Sequence, residues 1–349
     1  MLRFLTAGES HGPAEVAILE GIPAGLSLSH EDIQMELEKR RAGVGRGGRG
    51  KIEGDQVKIL SGVRHGKTLG SPIALLVENQ DFTNWNAKMS IEDNPKVEKG
   101  EIKITNPRPG HADLAGSLKY GFDDIRNVLE RASARETVMR VAAGAVCKKL
   151  LAEFSIKISS FIKQVGNVQV TSSDSEKIIE QAILEATKRK DTLGGIIEVI
   201  AKNVPVGLGS YVHWDKRLDG KLAQALMSIP SVKAVEIGEG ILNSSRFGSE
   251  VQDEIFFDNG NYTRKTNRAG GIEGGISNGE DLICRVFHKP LSTIGNALNT
   301  IDIKTKKQAK AVVERSDICV IPRAGVISEA MLAFVLADAF LEKFGGDSV

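Results

Sequence analysis

The sequence contains few of the residues that define several common protein classes. Only three of its 349 residues are cysteines, at Cys147, Cys284 and Cys319, and they lie far apart without a CxxC pair. This spacing indicates neither a disulfide framework nor a zinc site, so we expect three buried thiols and no metal. Aromatic residues make up 5% of the chain, which leaves few side chains on which nucleic-acid bases could stack.

Long apolar runs and a large net charge are also absent. No run of eighteen apolar residues occurs, so we expect no membrane-spanning segment. The N-terminus lacks the apolar stretch and small-residue cleavage site of a signal peptide, which predicts a cytoplasmic protein. The formal net charge of +1 argues against a global attraction for nucleic acid. A composition of 41% hydrophobic and 26% charged residues is typical of a globular protein.

Positive charge is nevertheless concentrated locally, between residues 40 and 51. This segment carries five basic residues and no acidic one, and its arginines alternate with glycines. Arginine makes paired hydrogen bonds to carboxylate or phosphate, and glycine lets the backbone approach the same anion. The segment therefore predicts a clamp for an anionic ligand. A solvated basic loop and an RNA contact are the alternatives, although the segment has no aromatic residue for base stacking.

Two short segments resemble familiar phosphate-binding motifs but lack their context. Residues 43–48 match GxGxxG, yet a dinucleotide site needs a strand before the motif and a helix after it. Residues 61–68 resemble a P-loop, but Ser61 replaces the first glycine and Gly70, Ser71 and Pro72 interrupt any following helix. We therefore expect neither a Rossmann unit nor nucleotide triphosphate hydrolysis.

Hydrophobic periodicity predicts alternating helices and strands along the whole chain. We expect helices over about 30–41, capped by Ser29, and over 133–154, 175–190, 222–229 and 328–344. Strands are predicted within 156–170, 196–204 and 233–237. No repeat and no low-complexity linker divides the chain, so residues 1–349 are predicted to form one mixed α/β domain.

Two histidines lie in short segments that contain glycine, GESHG at 8–12 and RPGHAD at 108–113. Imidazole exchanges protons near neutral pH, which makes His11 and His111 candidates for acid–base catalysis. Each could instead be a structural histidine, and His111 with Asp113 could form a metal pair. Further along, KPLST at 289–293 and GGIEGG at 270–275 offer a cation, hydroxyls and exposed amides that suit a phosphate-bearing cofactor, or ordinary turns.

Taken together, five segments in order resemble the chorismate synthase family. They are GESHG at 8–12, RPGHAD at 108–113, RASARET at 131–137, RAGGIEGGISNG at 268–279 and RSDICVIPRAGVISEAML at 315–332. The resemblance implies a lyase of the shikimate pathway that eliminates phosphate from 5-enolpyruvylshikimate 3-phosphate in a 1,4-anti reaction. It also implies reduced FMN without net redox change, a fold of helices between antiparallel sheets (an α+β sandwich), and a homotetramer.

The resemblance further implies a role for individual residues. His11 is expected to be the general acid near the leaving phosphate, oriented by Ser10, and His111 to manage protonation of the reduced flavin. Asp338 matches an aspartate that assists deprotonation at flavin N5. The substrate carries a charge of roughly −4, and the arginines expected to hold it are Arg40, Arg46, Arg49, Arg108 and Arg135, with Ser133 close to them. The positions expected to contact the flavin are Arg131, Ala132, Ser133, Pro230, Ser231, Gly274, Lys289, Pro290, Leu291, Ser292, Thr293 and Arg315.

The sequence departs from the family pattern in one place and leaves two rival functions open. Pro230-Ser231 stands where the family has a polar residue followed by alanine, and backbone contacts are expected there. Some relatives reduce flavin with NADPH, but this chain shows no recognisable nicotinamide-binding unit, so we expect external reduction. A flavin- or phosphate-dependent oxidoreductase and an RNA-binding module are the competing hypotheses.

Overall fold

The structure, a computed structural model, describes residues 2–43, 52–93, 103–170, 175–258, 260–314, 316–345 and 347. Strands within these residues run from the N-terminal segment to the last quarter of the chain. In chain order they are β1 (Arg3–Ala7), β2 (Ala14–Glu20), β3 (Val57–Ile59), β4 (Val63–Arg64), β5 (Lys67–Thr68), β6 (Ile73–Glu78), β7 (Lys157–Val165), β8 (Val168–Gln169), β9 (Gly195–Lys202), β10 (Val232–Ile237), β11 (Ile255–Asp258), β12 (Asn261–Arg264), β13 (Ile272–Glu273), β14 (Ile276–Ser277), β15 (Leu282–His288), β16 (Asn299–Ile301) and β17 (Gln308–Lys310).

Helices separate these strands, and the longest one closes the chain. The α-helices are α1 (His30–Arg41), α2 (Asp113–Tyr120), α3 (Arg126–Leu129), α4 (Thr137–Ala152), α5 (Ser175–Arg189), α6 (Leu218–Met227), α7 (Gly240–Asn243), α8 (Gly248–Val251) and α9 (Ile321–Phe344). Short 3-10 turns cover Gln80–Asn84, Ala134–Glu136 and Trp214–Lys216.

Two antiparallel sheets carry most of the longer strands. The four-stranded sheet has the order β1-β2-β6-β3, and the five-stranded sheet has the order β10-β15-β9-β7-β8. In β6, buried Ile73, Leu75 and Val77 alternate with more exposed residues, and β15 shows the same alternation. This period of two means that each sheet turns one apolar face towards the interior.

Helices α4 and α9 fill the space between the sheets. Helix α4 packs on β2 and β6, whereas α9 packs on β7 and β9, and the two helices pack on each other. Their approach is close at Gly144, where a Cβ atom would lie 2.3 Å from the Cβ of Ala330. One hydrophobic cluster joins residues of both sheets through these helices. The predicted arrangement of helices between antiparallel sheets is confirmed.

Helix α9 is long and apolar enough to cross a membrane by length and composition, yet 83% of its most apolar stretch is buried inside the protein. A helix that is apolar on every side and covered on every side is a core helix. It begins at Ile321 rather than at the predicted residue 328, because Pro322 occupies a first-turn position, where proline is favoured. Gly325 does not end the helix, since it sits in the buried first turns.

The first predicted helix is confirmed, and the P-loop resemblance is explained. Ser29 caps α1 and forms a capping box with Asp32, so the basic segment follows a helix and not a strand. Residues 61–68 form the β4–β5 hairpin, whose turn residues His65 and Gly66 have φ values of 50° and 70°. Such a turn joins two strands rather than a strand and a helix. Of the GxGxxG segment, residues 44–48 lie outside the described residues.

Candidate active site

A cavity of about 490 Å³ opens where the first turns of α9 meet loops from both halves of the chain. Its volume lies within the range of small-molecule sites. Of the residues predicted for catalysis or binding, those lining it are Ser10, His11, Arg40, Arg108, His111, Ala132, Ser133, Arg135, Pro230, Ser231, Lys289, Leu291, Ser292 and Thr293. The structure thus brings together segments that are separated by up to almost 300 residues of sequence.

His11 is held on two sides. Its Nδ1 lies 2.8 Å from one carboxylate oxygen of Glu130 and 3.1 Å from the other, and its backbone N–H donates to the same carboxylate at 2.8 Å. Its ring stacks on Trp85 with centroids 3.8 Å apart. Because Glu130 occupies Nδ1, the nitrogen left to donate a proton is Nε2.

Glu130 connects His11 to a second cation, Arg126, whose Nη1 donates to it at 2.8 Å. Burial alone would raise the pKa of Glu130, but the hydrogen bond and positive charge of His11 and the bond from Arg126 lower it. Glu130 is therefore an anion that is hydrogen-bonded to both His11 and Arg126. Arg126 also lies 4.9 Å from the centre of the Trp85 ring, so Trp85 contacts both the histidine and the arginine that bind Glu130.

His111 belongs to a second cluster, built around the fully buried Asp113. The Nδ1 of His111 lies 2.6 Å from Asp113, which also accepts from Nε and Nη2 of Arg108 at 2.8 and 3.1 Å. Burial would raise the pKa of Asp113, but the bonds from His111 and Arg108 hold it well below its usual range. The third guanidinium nitrogen of Arg108 donates to Thr293 at 2.8 Å. His111 and Asp113 therefore form a hydrogen-bonded pair. Among the described residues, no group of three His, Cys, Asp or Glu side chains is arranged to hold a metal ion.

Arg40 and Arg135 are arranged around another buried carboxylate, Asp55. Nη1 of Arg40 lies 3.2 Å from Asp55, and Arg135 also pairs with Asp55 and donates to Asn79 at 2.8 Å. Burial lowers the pKa of Arg40 to about 10, although the charge of Asp55 opposes this. The guanidinium groups therefore have fixed orientations before any ligand arrives. The 3-10 turn beside them is capped by Ser133, whose hydroxyl accepts from the Arg135 amide at 3.2 Å.

The segment predicted to hold a phosphate-bearing cofactor lies beside the loop of His111. Lys289 Nζ donates to the carbonyl of Gly110 at 2.9 Å and to Ser292 at 2.8 Å. The backbone N–H of Lys289 donates to the carbonyl of Ser231 at 2.9 Å, which ties this segment to Pro230-Ser231. The cation and hydroxyls that the sequence suggested are thus neighbours in space.

Some predicted residues have other surroundings. Arg131 donates to the carbonyls of Gly8 and Thr6 and does not line the cavity. Pro290 does not line it either, although Lys289 and Leu291 on its two sides do. Gly274 lies in the turn between β13 and β14 with φ of 60° and open space around its Cα. Arg46, Arg49 and Arg315 lie outside the described residues.

Asp338 is also placed away from the cavity. Its carboxylate accepts from the backbone N–H of Leu2 at 2.7 Å and lies 3.9 Å from Lys221. These contacts join the last helix to the N-terminal segment. The aspartate of this region that lines the cavity is Asp317, which lies beside the predicted Arg315 and pairs with Arg323. Its place in the quoted segment 315–332 is the signal that could have pointed to it.

Buried arginine nitrogens indicate what the cavity accepts. Nε and Nη2 of Arg323 are buried without a hydrogen-bond partner among the described residues, and Nη2 of Arg135 has only a longer ion-pair contact, 3.6 Å to Glu53. Both side chains line the cavity. Buried donors without partners are rare and costly, so an anionic ligand that supplies acceptors fits here. Together with Lys289, Ser292 and Thr293, these groups suit both a multiply charged substrate and the phosphate of FMN.

Sequence reasoning missed Glu130, Asp113's partnership with both Arg108 and His111, and the stacking of Trp85. Glu130 immediately precedes the RASARET segment, and that adjacency was the available signal. Nothing in the spacing links Trp85 to His11, because the contact depends on how the 3-10 turn after β6 packs.

Comparison with known proteins agrees with this geometry. A family model described as chorismate synthase matches residues 2–341. The chain is 52% identical to the chorismate synthase of Aquifex aeolicus, with 99% of this chain and 94% of that protein covered, and 48% identical to that of Geobacter sulfurreducens, with 100% and 96% covered. A solved structure titled as the crystal structure of chorismate synthase is 42% identical, with a TM-score of 0.79 and coverage of 100% and 94%.

Proposed function

The chain belongs to the chorismate synthase family, and on that premise we propose that the cavity containing His11 and His111 is where its reaction occurs. The enzyme is a phosphate-eliminating lyase that converts 5-enolpyruvylshikimate 3-phosphate to chorismate in the shikimate pathway, and its family uses reduced FMN. The observation that carries the proposed location is that Arg135 and Arg323, which have buried nitrogens without a hydrogen-bond partner among the described residues, line the same cavity as both histidines.

Arginines of the cavity bind the anionic groups of the substrate. A ligand with a charge of roughly −4 needs several cations. Arg40, Arg108 and Arg135 are oriented by Asp55 and Asp113, so little conformational freedom is lost when they bind. Arg323, which the sequence did not single out, adds two nitrogens that have no hydrogen-bond partner within the described part of the chain. Strengthening of these bonds as phosphate departs lowers the barrier to its release. Arg46 and Arg49 belong to the same proposed set by resemblance.

The two histidines have different roles. His11 donates a proton to the leaving phosphate through Nε2, because Nδ1 is engaged by Glu130 and the ring is held in place. His111, held by Asp113, manages protonation at the flavin. Asp317 is the carboxylate that we place at the cavity in the proton-accepting role, in preference to Asp338. Reduced FMN, when bound, supplies the electron that weakens the allylic carbon–oxygen bond.

The test of these roles is the pair His11→Ala and His111→Ala. We expect each to lose about 100- to 10,000-fold in turnover while still binding FMN, as is usual for general acid–base groups. His213→Ala, which alters an exposed histidine outside the cavity, is the matched control and should retain full turnover. Full activity in either cavity variant would remove its assigned role, and loss of FMN binding would point to a structural one.

Other features of the working enzyme are also proposals. We place all 349 residues in one catalytic domain, supported by the hydrophobic cluster that joins both sheets. Cytoplasmic location and reduction of FMN by an external system follow the sequence reasoning above. Self-association into a homotetramer is supported by the β11–β12 hairpin, where Ile255, Phe256, Phe257 and Tyr262 are all exposed. Light scattering at micromolar concentration would test the subunit number.

A further inference from the structure

Ser231 lines the cavity in an unusual backbone conformation. Its φ is 75°, a region that few residues other than glycine adopt. Hydrogen bonds hold it there, since its carbonyl accepts from the Lys289 amide at 2.9 Å and the amide of the next residue, Val232, donates to Ile229 at 3.1 Å. A residue kept in such a conformation at a ligand cavity suggests that its position serves the site.

Within the ranges that the structure describes, the hydroxyl of Ser231 has one hydrogen-bond partner, the ring of His288. Oγ lies 2.9 Å from Nδ1, and His288 is 5% exposed. Burial lowers the pKa of His288 to about 4, so the ring is neutral at physiological pH. A neutral ring carries its proton on one nitrogen only, and which nitrogen decides how the hydroxyl is used.

The environment of the other ring nitrogen identifies the tautomer. Nε2 of His288 is buried without a hydrogen-bond partner among the described residues. A proton on Nε2 would leave a buried N–H unsatisfied, which is rarer than an unsatisfied acceptor. The proton therefore sits on Nδ1 and is donated to Oγ of Ser231. This leaves the O–H of Ser231 free to donate to another acceptor, and the residue lines the cavity.

We propose that the Ser231 hydroxyl donates a hydrogen bond to the bound flavin and that His288 is a positioning residue which fixes its direction. The inference rests on the proposed assignment of the cavity to FMN. The flavin offers acceptors on its phosphate, its ribityl chain and its ring. Ser231 is tied to Lys289, and Lys289 to Ser292, within the segment proposed to hold the cofactor, so this contact extends that cluster.

The test measures FMN affinity by isothermal titration calorimetry on the full-length protein, without turnover. Ser231→Ala should weaken FMN binding about 3- to 10-fold, as expected for one hydrogen bond. Ser245→Ala is the matched control, because its exposed hydroxyl donates to the local carbonyl of Leu242, outside the cavity. It should bind FMN with unchanged affinity.

Variants at His288 test the positioning role. His288→Leu should weaken FMN binding, but it should add nothing in the Ser231→Ala background, because the histidine acts through the hydroxyl. His288→Asn retains an N–H near the position of Nδ1 and should restore most of the affinity. If His288→Leu does not fold, His288→Asn and Ser231→Ala still give the comparison.

Repeating the titrations with riboflavin locates the acceptor. A loss seen only with FMN places it on the phosphate, and a loss with both ligands places it on the ring or ribityl chain; either result supports the proposal. Equal FMN affinity of Ser231→Ala and the unaltered protein would overturn it, as would an undiminished effect of His288→Leu in the Ser231→Ala background. Failure of the unaltered protein to bind FMN would instead contradict the proposed cofactor site.

Discussion

Glu130 is the anionic partner of His11, and replacing it with glutamine should slow turnover markedly. The substitution keeps the shape of the side chain and one acceptor oxygen but removes the negative charge that faces Nδ1 at 2.8 Å. Both side chains are almost fully buried, so water screens this interaction little. A hydrogen bond to a charged group contributes about 1.5–3 kcal/mol. If that difference falls on the proton-donating step, turnover decreases about 10- to 150-fold.

The assay is steady-state formation of chorismate with excess reduced FMN, from pH 5.5 to 8.5. We expect turnover of Glu130→Gln to be reduced across this pH range, because the charged partner of the His11 ring is absent at every pH tested. Glu185→Gln is the control, since Glu185 pairs with Arg189 in solvent and such pairs contribute little. Unchanged turnover would refute the role of Glu130. A lower melting temperature with normal turnover would show that Glu130 serves folding alone.

Three further predictions concern the buried acid Glu15, the two aspartates of the C-terminal region and the buried cysteines. Burial raises the pKa of Glu15 to about 7 in the folded state, so the folded protein is destabilised as pH rises from about 4.5 to 7 and this carboxyl loses its proton. Glu15→Gln should therefore raise the free energy of unfolding at pH 8 by roughly 3 kcal/mol and change it little at pH 4. Urea denaturation at the two pH values measures the difference. Asp317→Asn should reduce turnover more than tenfold, whereas Asp338→Asn should retain it within about twofold because its oxygen still accepts from Leu2; the reverse order would restore Asp338 to the catalytic set. Burial raises the pKa of the Cys147 and Cys284 thiols to about 12, so iodoacetamide at pH 8 should label the protein by mass spectrometry only after unfolding.

Local signals predicted the elements well where one interaction dominates. Ser29 and Asp32 supply the reciprocal hydrogen bonds that start α1, and the strands predicted within 196–204 and 233–237 correspond to β9 and β10. Helix α9 begins seven residues before the predicted residue 328, and its first turns include Gly325. In the structure its neighbour Ser160 lies 2.3 Å from where its Cβ would be, so close packing requires glycine there.

The sequence predicted the separate motifs of the site, but not which side chains pair with one another in space. The histidines and arginines could be found because their short motifs are distinctive, but their partners Glu130, Asp55 and Asp317 come from tertiary packing. Asp338 matches the motif but does not line the cavity. Its position matched the pattern, yet the direction in which α9 presents that residue leads to Leu2 and Lys221. Side-chain direction on a buried helix depends on its rotation about its axis, which a motif does not define.

The most direct test of the account is an anaerobic turnover experiment with simultaneous measurement of both products. Purified protein is mixed with 5-enolpyruvylshikimate 3-phosphate and chemically reduced FMN, with oxidised FMN as the control. We predict equal amounts of chorismate and phosphate over many turnovers, formed only with reduced flavin and without its net consumption. Bound flavin and substrate without product, or stoichiometric oxidation of the flavin, would contradict the assignment of the elimination to this cavity.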